Sequence, residues 1–303
     1  MSEQYLTANG LKLAYEEFGN QAHPPIILVM GLGSQLVHWP LEFCKNLAAQ
    51  GYRVIRFDNR DIGLSEKIDT QEEPSIPSIM LRKALRLPVS VPYDLHDMAL
   101  DSIGVLDALE IDAAHWVGVS MGGMISQIVA AQHPARCLSL TSIMSTTGNP
   151  KLPQASLKIR AQLLKRPPAN SDQAYLDHMM TTRKMIASPG FPISDDELKQ
   201  RIEMSYKRSF YPRGYRNQVA AIMATGDRRK LLKKIITPTL VIHGHDDPLV
   251  PVEGGIDTAR HIKHANLHLI KGMGHDLPPG LCELLVEQVH AHIERTTSNI
   301  KAA

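Results

Sequence analysis

The stretch Ala114-His115-Trp116-Val117-Gly118-Val119-Ser120-Met121-Gly122-Gly123-Met124 decides how the chain is read. A short apolar run leads into Gly-Val-Ser-Met-Gly, and an amphipathic segment reaching Ala131 follows. Strand, tight turn and helix in that order form the setting of a nucleophile elbow, with serine at the apex. Such a turn strains the backbone at the serine, so its neighbours must be small; Gly118, Gly122 and Gly123 meet that need. The first turn of the following helix also directs free N–H groups at any charge that develops on a bound molecule. The reading therefore depends on finding partners for Ser120 in the right order along the chain.

Outward from this stretch, the pattern is one of alternation. Tyr5–Asn9 and Leu11–Phe18 flank Asn9-Gly10, a hairpin signal, so the chain opens with an antiparallel pair. Ile26–Met30 is a continuous apolar run of the kind buried on both faces of a sheet, and Tyr52–Asp58 is another strand. Helices are expected over Pro40–Gln50, Ile79–Leu87 and Tyr93–Glu110, and a further strand over Cys137–Met144. After Ser145 the rhythm stops, and about ninety residues offer helical or irregular patterns without a strand. Alternation resumes with Thr239–His243, a helix near Gly254–His264, the strand Asn266–Ile270 and a last helix Pro279–Arg295, with Thr296–Ala303 as a frayed tail. Strands alternating with helices mean an α/β fold with a mostly parallel, doubly wound sheet. The expected division is a core of residues 1–145 and 236–303, with residues 146–235 as a helical cap over the strand C-termini, where ligands bind in such sheets.

Composition narrows the partners. The 303 residues carry a formal charge of +2, and the 21% of charged residues are spread through the chain. Neither nucleic acid nor a membrane is expected as a partner. The densest basic run, Arg228-Arg229-Lys230 with Lys233-Lys234, has no interleaved aromatics and reads as a solvated helix face. Cys44, Cys137 and Cys282 are odd in number and sit in apolar segments, as buried free thiols do. With no signal-like N-terminus and no bilayer-length apolar run, a cytoplasmic location is expected. The oligomeric state is not legible.

Serine at an elbow needs a base, and the base an orienting acid. Of the fourteen histidines, His275 alone lies in a glycine-rich turn, Gly272-Met273-Gly274-His275-Asp276, directly after the last strand. The acid is expected after the preceding strand, in Gly244-His245-Asp246-Asp247-Pro248. Asp247 is chosen over Asp246 because the following proline biases it to an extended conformation with a fixed direction. The chain order Ser120, Asp247, His275 is the order such a sheet uses for a triad. Two backbone N–H groups are expected to form an oxyanion hole: Met121, just after the nucleophile, and Leu32, in the Gly31-Leu32-Gly33 loop after the first parallel strand. Gly31, His38 and Trp39 are the candidates for substrate contact, with packing at the junction of cap and core as the alternative for His38 and Trp39.

Met30-Gly31-Leu32-Gly33, Asp58-Asn59-Arg60-Asp61-Ile62-Gly63-Leu64-Ser65, the elbow, Gly244-His245-Asp246-Asp247-Pro248 and Gly272-Met273-Gly274-His275 together resemble the α/β-hydrolase family over nearly the whole chain. Within it, the chain looks most like the serine carboxylesterase branch that includes aclacinomycin methylesterase-type enzymes. Met30-Gly31 departs from the His-Gly frequent there. The family's spacing of Gly, two residues, Asp, Pro selects Asp247. The resemblance implies a capped serine esterase acting on a small-molecule ester, with no metal and no other cofactor. Perhydrolases, lactonases, C–C bond hydrolases and non-catalytic receptors share the fold. A dinucleotide-binding oxidoreductase is disfavoured, because Leu36 stands where the third glycine of Gly-x-Gly-x-x-Gly would be.

Overall fold

The computed structural model describes residues 3–69, 74–85, 87–165, 168 and 171–302, with side chains through Ser298. Eight strands form one sheet in the order β1-β2-β4-β3-β5-β6-β7-β8: β1 (Gln4–Ala8), β2 (Leu11–Phe18), β3 (Pro25–Val29), β4 (Arg53–Phe57), β5 (Ala114–Val119), β6 (Cys137–Ile143), β7 (Thr239–Gly244) and β8 (Asn266–Ile270). Asn9 and Gly10 both take positive φ, the hairpin geometry that joins β1 to β2, and β2 runs antiparallel to β4. From β4 to β8 every pairing is parallel. The chain leaves β3 for β4 on one side and returns to β5 on the other, so strand order reverses at β3. In open α/β sheets a crevice forms at that reversal, beyond the carboxyl ends of the strands.

The continuous apolar runs behave as two-faced strands. Ile27 and Val29 pack on one side with Leu95, Met98 and Ile125, whereas Ile26 and Leu28 pack on the other with Phe43 and Leu285. The first cluster lies under α3 (Leu95–Ala108) and α4 (Met121–Gln132), the second under α1 (Leu41–Ala49) and α11 (Pro279–Ala302). Each such side chain contributes roughly 1.5–3 kcal/mol on burial. The short α2 (Ile76–Ala84) lies between β4 and α3, in a stretch whose residues 70–73 and 86 fall outside the described residues.

Among the described residues, five helices lie between β6 and β7: α5 (Leu157–Leu164), α6 (Asp172–Lys184), α7 (Asp195–Arg208), α8 (Pro212–Thr225) and α9 (Arg229–Leu232). Ser156, Ser171 and Ser194 cap the first three by accepting a first-turn N–H. Tyr175, Leu176 and Ile202 give this insertion a small core of its own, with Met179 and Met180 packed against it. Leu232 and Ile235, at its end, join the main cluster instead. Helix α10 (Glu253–His261) links β7 to β8, and Ile262 at its end joins the same cluster.

Two expectations are corrected. Arg228 is not on a solvated face: it is buried, and its guanidinium donates to Gly226 O at 2.9 Å and Thr146 O at 2.6 Å. Burial lowers its pKa to about 10. A run of cations cannot reveal which of them meets backbone carbonyls folded back from elsewhere. Nor does the chain fray at Thr296, since α11 continues to Ala302. Thr296 is buried and Thr296 and Thr297 donate to His292 O and Ile293 O, so the apolar side of the helix is prolonged by threonines rather than by aliphatic residues. All three cysteines are free and buried, and burial pushes the Cys44 and Cys282 thiols up to about 12 and 11.

Candidate active site

Ser120 stands between β5 and α4 with φ 54° and ψ −117°, a region that non-glycine residues occupy only when their surroundings force them to. The forcing is visible. A Cβ on Gly122 would lie 2.0 Å from Val29 O, so the first turn of α4 comes that close to β3 only because of glycine. Ser120 N–H donates to Ile143 O at 2.9 Å, and Ser145 Oγ donates to Ser120 O at 2.7 Å. The result is a serine lifted from the sheet with its hydroxyl half-exposed.

The loops after β7 and β8 meet this serine. His275 Nε2 lies 3.0 Å from Ser120 Oγ, and His275 Nδ1 lies 2.7 Å from Asp247 Oδ2. An ionised carboxylate only accepts, so Nδ1 carries the proton and the Nε2 lone pair faces the serine hydroxyl. Asp247 Oδ1 in turn accepts the N–H groups of Leu249 at 2.9 Å and Val250 at 2.8 Å. Burial pushes the Asp247 carboxyl up, but His275, His243 and the Val250 N–H outweigh burial and hold it below its ordinary value. Asp246, one residue earlier, is exposed and accepts Gly272 N–H at 2.7 Å. The two neighbouring carboxylates therefore diverge, one into the site and one onto the loop that carries His275.

The Gly31-Leu32-Gly33 loop sits against the serine. A Cβ on Gly31 would be 3.2 Å from Ser120 Cβ and 3.8 Å from Ser120 Oγ. Ser34 N–H donates to Gly31 O and Gly33 N–H to Gln218, while no hydrogen bond among the described residues engages the Leu32 N–H. Met121 begins α4, so its N–H has no partner within that helix. His38 and Trp39 are placed differently. His38 Nδ1 accepts Gln35 N–H at 3.0 Å, and burial followed by Arg183 lowers its pKa to about 3. Trp39 is fully buried and stacked on Phe43 with ring centroids 5.3 Å apart.

Several residues that hold the site went unread in the sequence. Ile186 O accepts His275 N–H at 2.8 Å, and Ser188 Oγ accepts Gly274 N–H at 2.8 Å while donating to Asp276. The segment after α6 is thus strapped to the histidine loop. Across the site, Arg208 of α7 pairs with the fully buried Asp58 at 2.7 Å. Burial pushes Asp58 up despite this partner and the Leu36 and Leu64 N–H groups that it accepts. Sequence separation hides such bonds, because no local motif marks a serine or arginine that will meet a loop many residues away. Among the described residues, no group of three or more His, Cys, Asp or Glu side chains is placed to hold a metal ion. Among them, too, no helix is long and apolar enough to cross a membrane.

The profile of the α/β hydrolase fold family matches residues 24–278. The chain belongs to this family. This α/β hydrolase is 29% identical to the rhodomycin D methylesterase DauP of Streptomyces sp. (strain C5), over 98% of its own length and all of that relative's. It is 27% identical to 3-oxoadipate enol-lactonase 2 of Acinetobacter baylyi (strain ATCC 33305 / BD413 / ADP1), over 88% of its own length and 87% of the relative's. Among solved structures it resembles the esterase RhEst1 from Rhodococcus sp. ECU1013, with a TM-score of 0.76 at 20% identity, over 97% of this chain and 99% of that one. At that identity the likeness concerns the fold.

Proposed function

We propose that the protein is a serine hydrolase of carboxylic esters working through an acyl-enzyme. The observation that carries this reading is the continuous line from Asp247 Oδ2 through His275 to Ser120 Oγ, at 2.7 and 3.0 Å, on a serine held at φ 54°. Similarity to rhodomycin D methylesterases along the whole chain supports the same bond type.

In the proposed mechanism, His275 Nε2 takes the proton from Ser120 Oγ as the oxygen attacks the ester carbonyl. The tetrahedral oxyanion accepts the N–H groups of Leu32 and Met121, of which each such donor is worth about 2.7–4 kcal/mol in the transition state. His275 returns the proton to the leaving alcohol, and Asp247 holds the imidazole in the tautomer that both steps require. Water, deprotonated by His275, then releases the acid and restores Ser120. No step calls on a metal or organic cofactor.

Small to medium apolar esters suit the site best. Residues 146–235 act as the cap, supported by the contacts of Ile186 and Ser188 with the histidine loop and of α8 with the Gly31–Gly33 turn. A lactone, being a cyclic ester, would pass through the same steps, and similarity to an enol-lactonase keeps it in the substrate panel. The experiment is fluorophosphonate labelling followed by turnover on a panel of acyl and alcohol chains and lactones. Labelling at Ser120, with hydrolysis lost in Ser120→Ala, is the expected result. A protein that takes the label but turns over no ester would be a receptor on the same fold, and the reading would fall.

A further inference from the structure

The loop that faces the serine is a tight turn, closed by Ser34 N–H donating to Gly31 O at 3.2 Å. Gly33 occupies its third position at φ +66°, the left-handed value that a type II turn demands there. The Leu32 N–H belongs to the first peptide of this turn, Gly31–Leu32, so its place depends on how firmly the turn is held. Here it is clamped from outside. Gly33 N–H donates to Gln218 Oε1 at 2.9 Å, and Gln218 Nε2 donates to Arg60 O at 3.1 Å. Gln218 is fully buried, so its side-chain amide has little water to turn to, and leaving it unpaired is costly.

The helix that carries Gln218 is itself fixed. Asn217 Nδ2 donates to Asp61 Oδ2 at 2.9 Å, and a Cβ on Gly214 would be 2.2 Å from Asp61 O. Tyr215 closes over the turn so tightly that a Cβ on Gly33 would come within 2.5 Å of its ring. One face of α8 therefore presses on the loop from 185 residues away in sequence.

We propose that Gln218 is a positioning residue for the oxyanion hole. From the inserted helix it anchors Gly33, and so holds the whole turn, with the Leu32 N–H of its adjoining Gly31–Leu32 peptide, in place against the charge that develops at Ser120. The inference rests on the proposed ester hydrolysis at Ser120. Its expected signature is a loss confined to the transition state, since a donor misaimed by a fraction of an ångström weakens the oxyanion more than the ground-state ester.

Gln218→Met keeps the length and removes both bonds, whereas Gln218→Glu keeps an acceptor for Gly33 N–H and loses the donor to Arg60 O. On a p-nitrophenyl ester, Gln218→Met should lower kcat at least tenfold with KM within about threefold. Its affinity for a trifluoromethyl ketone, which mimics the tetrahedral state, should fall by the same factor as kcat/KM. Gln218→Glu should recover most of both. Circular dichroism and melting check the fold; should the methionine variant not fold, Gln218→Asn, one methylene short, carries the same readings. Retention of kcat within twofold overturns the proposal. So does a loss of kcat without loss of ketone affinity, or an equal loss in the methionine and glutamate variants. If Ser120→Ala still hydrolyses the ester, the reading of the site itself has failed. If Ser120→Ala is inert and Gln218→Met is normal, only the positioning role has.

Discussion

Among the described residues two serine–histidine hydrogen bonds are present, and they differ in everything except their length. At the carboxyl end of the sheet His275 Nε2 lies 3.0 Å from Ser120 Oγ; further back, His115 Nδ1 on β5 lies 2.8 Å from Ser139 Oγ on β6. Ser139 sits in regular strand, 1% exposed, whereas Ser120 is half-exposed at a strained turn. Behind His275 stands Asp247; among the described residues no carboxylate is hydrogen-bonded to His115, whose nearby titratable group is a second histidine, His292. Burial, then His292, lowers the His115 pKa to about 4. A hydroxyl beside an imidazole is therefore no sign of chemistry by itself. An orienting acid, an accessible oxygen and free N–H donors nearby make the difference, and all three gather only where the strands end.

The comparison breaks first if the wrong pair carries the reaction. Ser120→Ala should abolish ester hydrolysis, a loss on the order of 10⁶ in kcat, with the far-UV spectrum unchanged. Adding His275→Ala should cost little more, because the members act as a unit. Losses that multiply in the double variant would show two independent contributions and count against the pair.

Next comes the acid. Asp247→Asn should lower kcat by about 10⁴, because the amide offers Nδ1 a donor and favours the wrong tautomer. Asp246→Asn, which loosens only the bond to Gly272 N–H, should stay within about tenfold. Steady-state kinetics on the two variants decides the matter, and the reverse ranking would move the acid by one residue.

Much of this was legible in the sequence because it is local. Ile26–Met30 and Ala114–Val119 announce two-faced strands by being apolar without interruption, and Gly118-Val119-Ser120-Met121-Gly122 encodes a turn that fits in few other ways. The proline after Asp247 separates it from Asp246 for a reason contained in two residues. What stayed hidden is what the insertion does. Ser188, Arg208 and Gln218 carry no motif, and each becomes meaningful only against a loop brought up by the fold. Trp39, a few residues past the Gly31–Gly33 loop, stacks on Phe43, a contact that nearness along the chain does not announce. The fold is written in periodicity, whereas the support of the site is written in tertiary contact.

The smallest effect on catalysis should come from the second pair, and its larger effect should fall on stability. Ser139→Ala and His115→Gln are expected to leave kcat/KM at pH 7.5 within twofold, since the two side chains pair with each other and, among the described residues, neither is hydrogen-bonded to Ser120, Asp247 or His275. The pKa of His115 is about 4 in the folded protein against 6.5 as its ordinary value. Below pH 6.5 the unfolded chain thus binds a proton that the native one refuses, and stability must fall as pH drops toward 4. Integrated from pH 7.5 to 5, one such histidine costs about 2 kcal/mol. His292, also lowered to about 4 by burial, adds a similar slope of its own. Urea unfolding of the wild type should therefore show a steep loss of stability over that interval. In His115→Gln the loss should be smaller by about 2 kcal/mol, because glutamine still pairs with Ser139 but takes up no proton. An unchanged acid-side slope in this variant would mean that His115 is charged in the native state. The contrast between a histidine held neutral and one placed to exchange protons would then be lost.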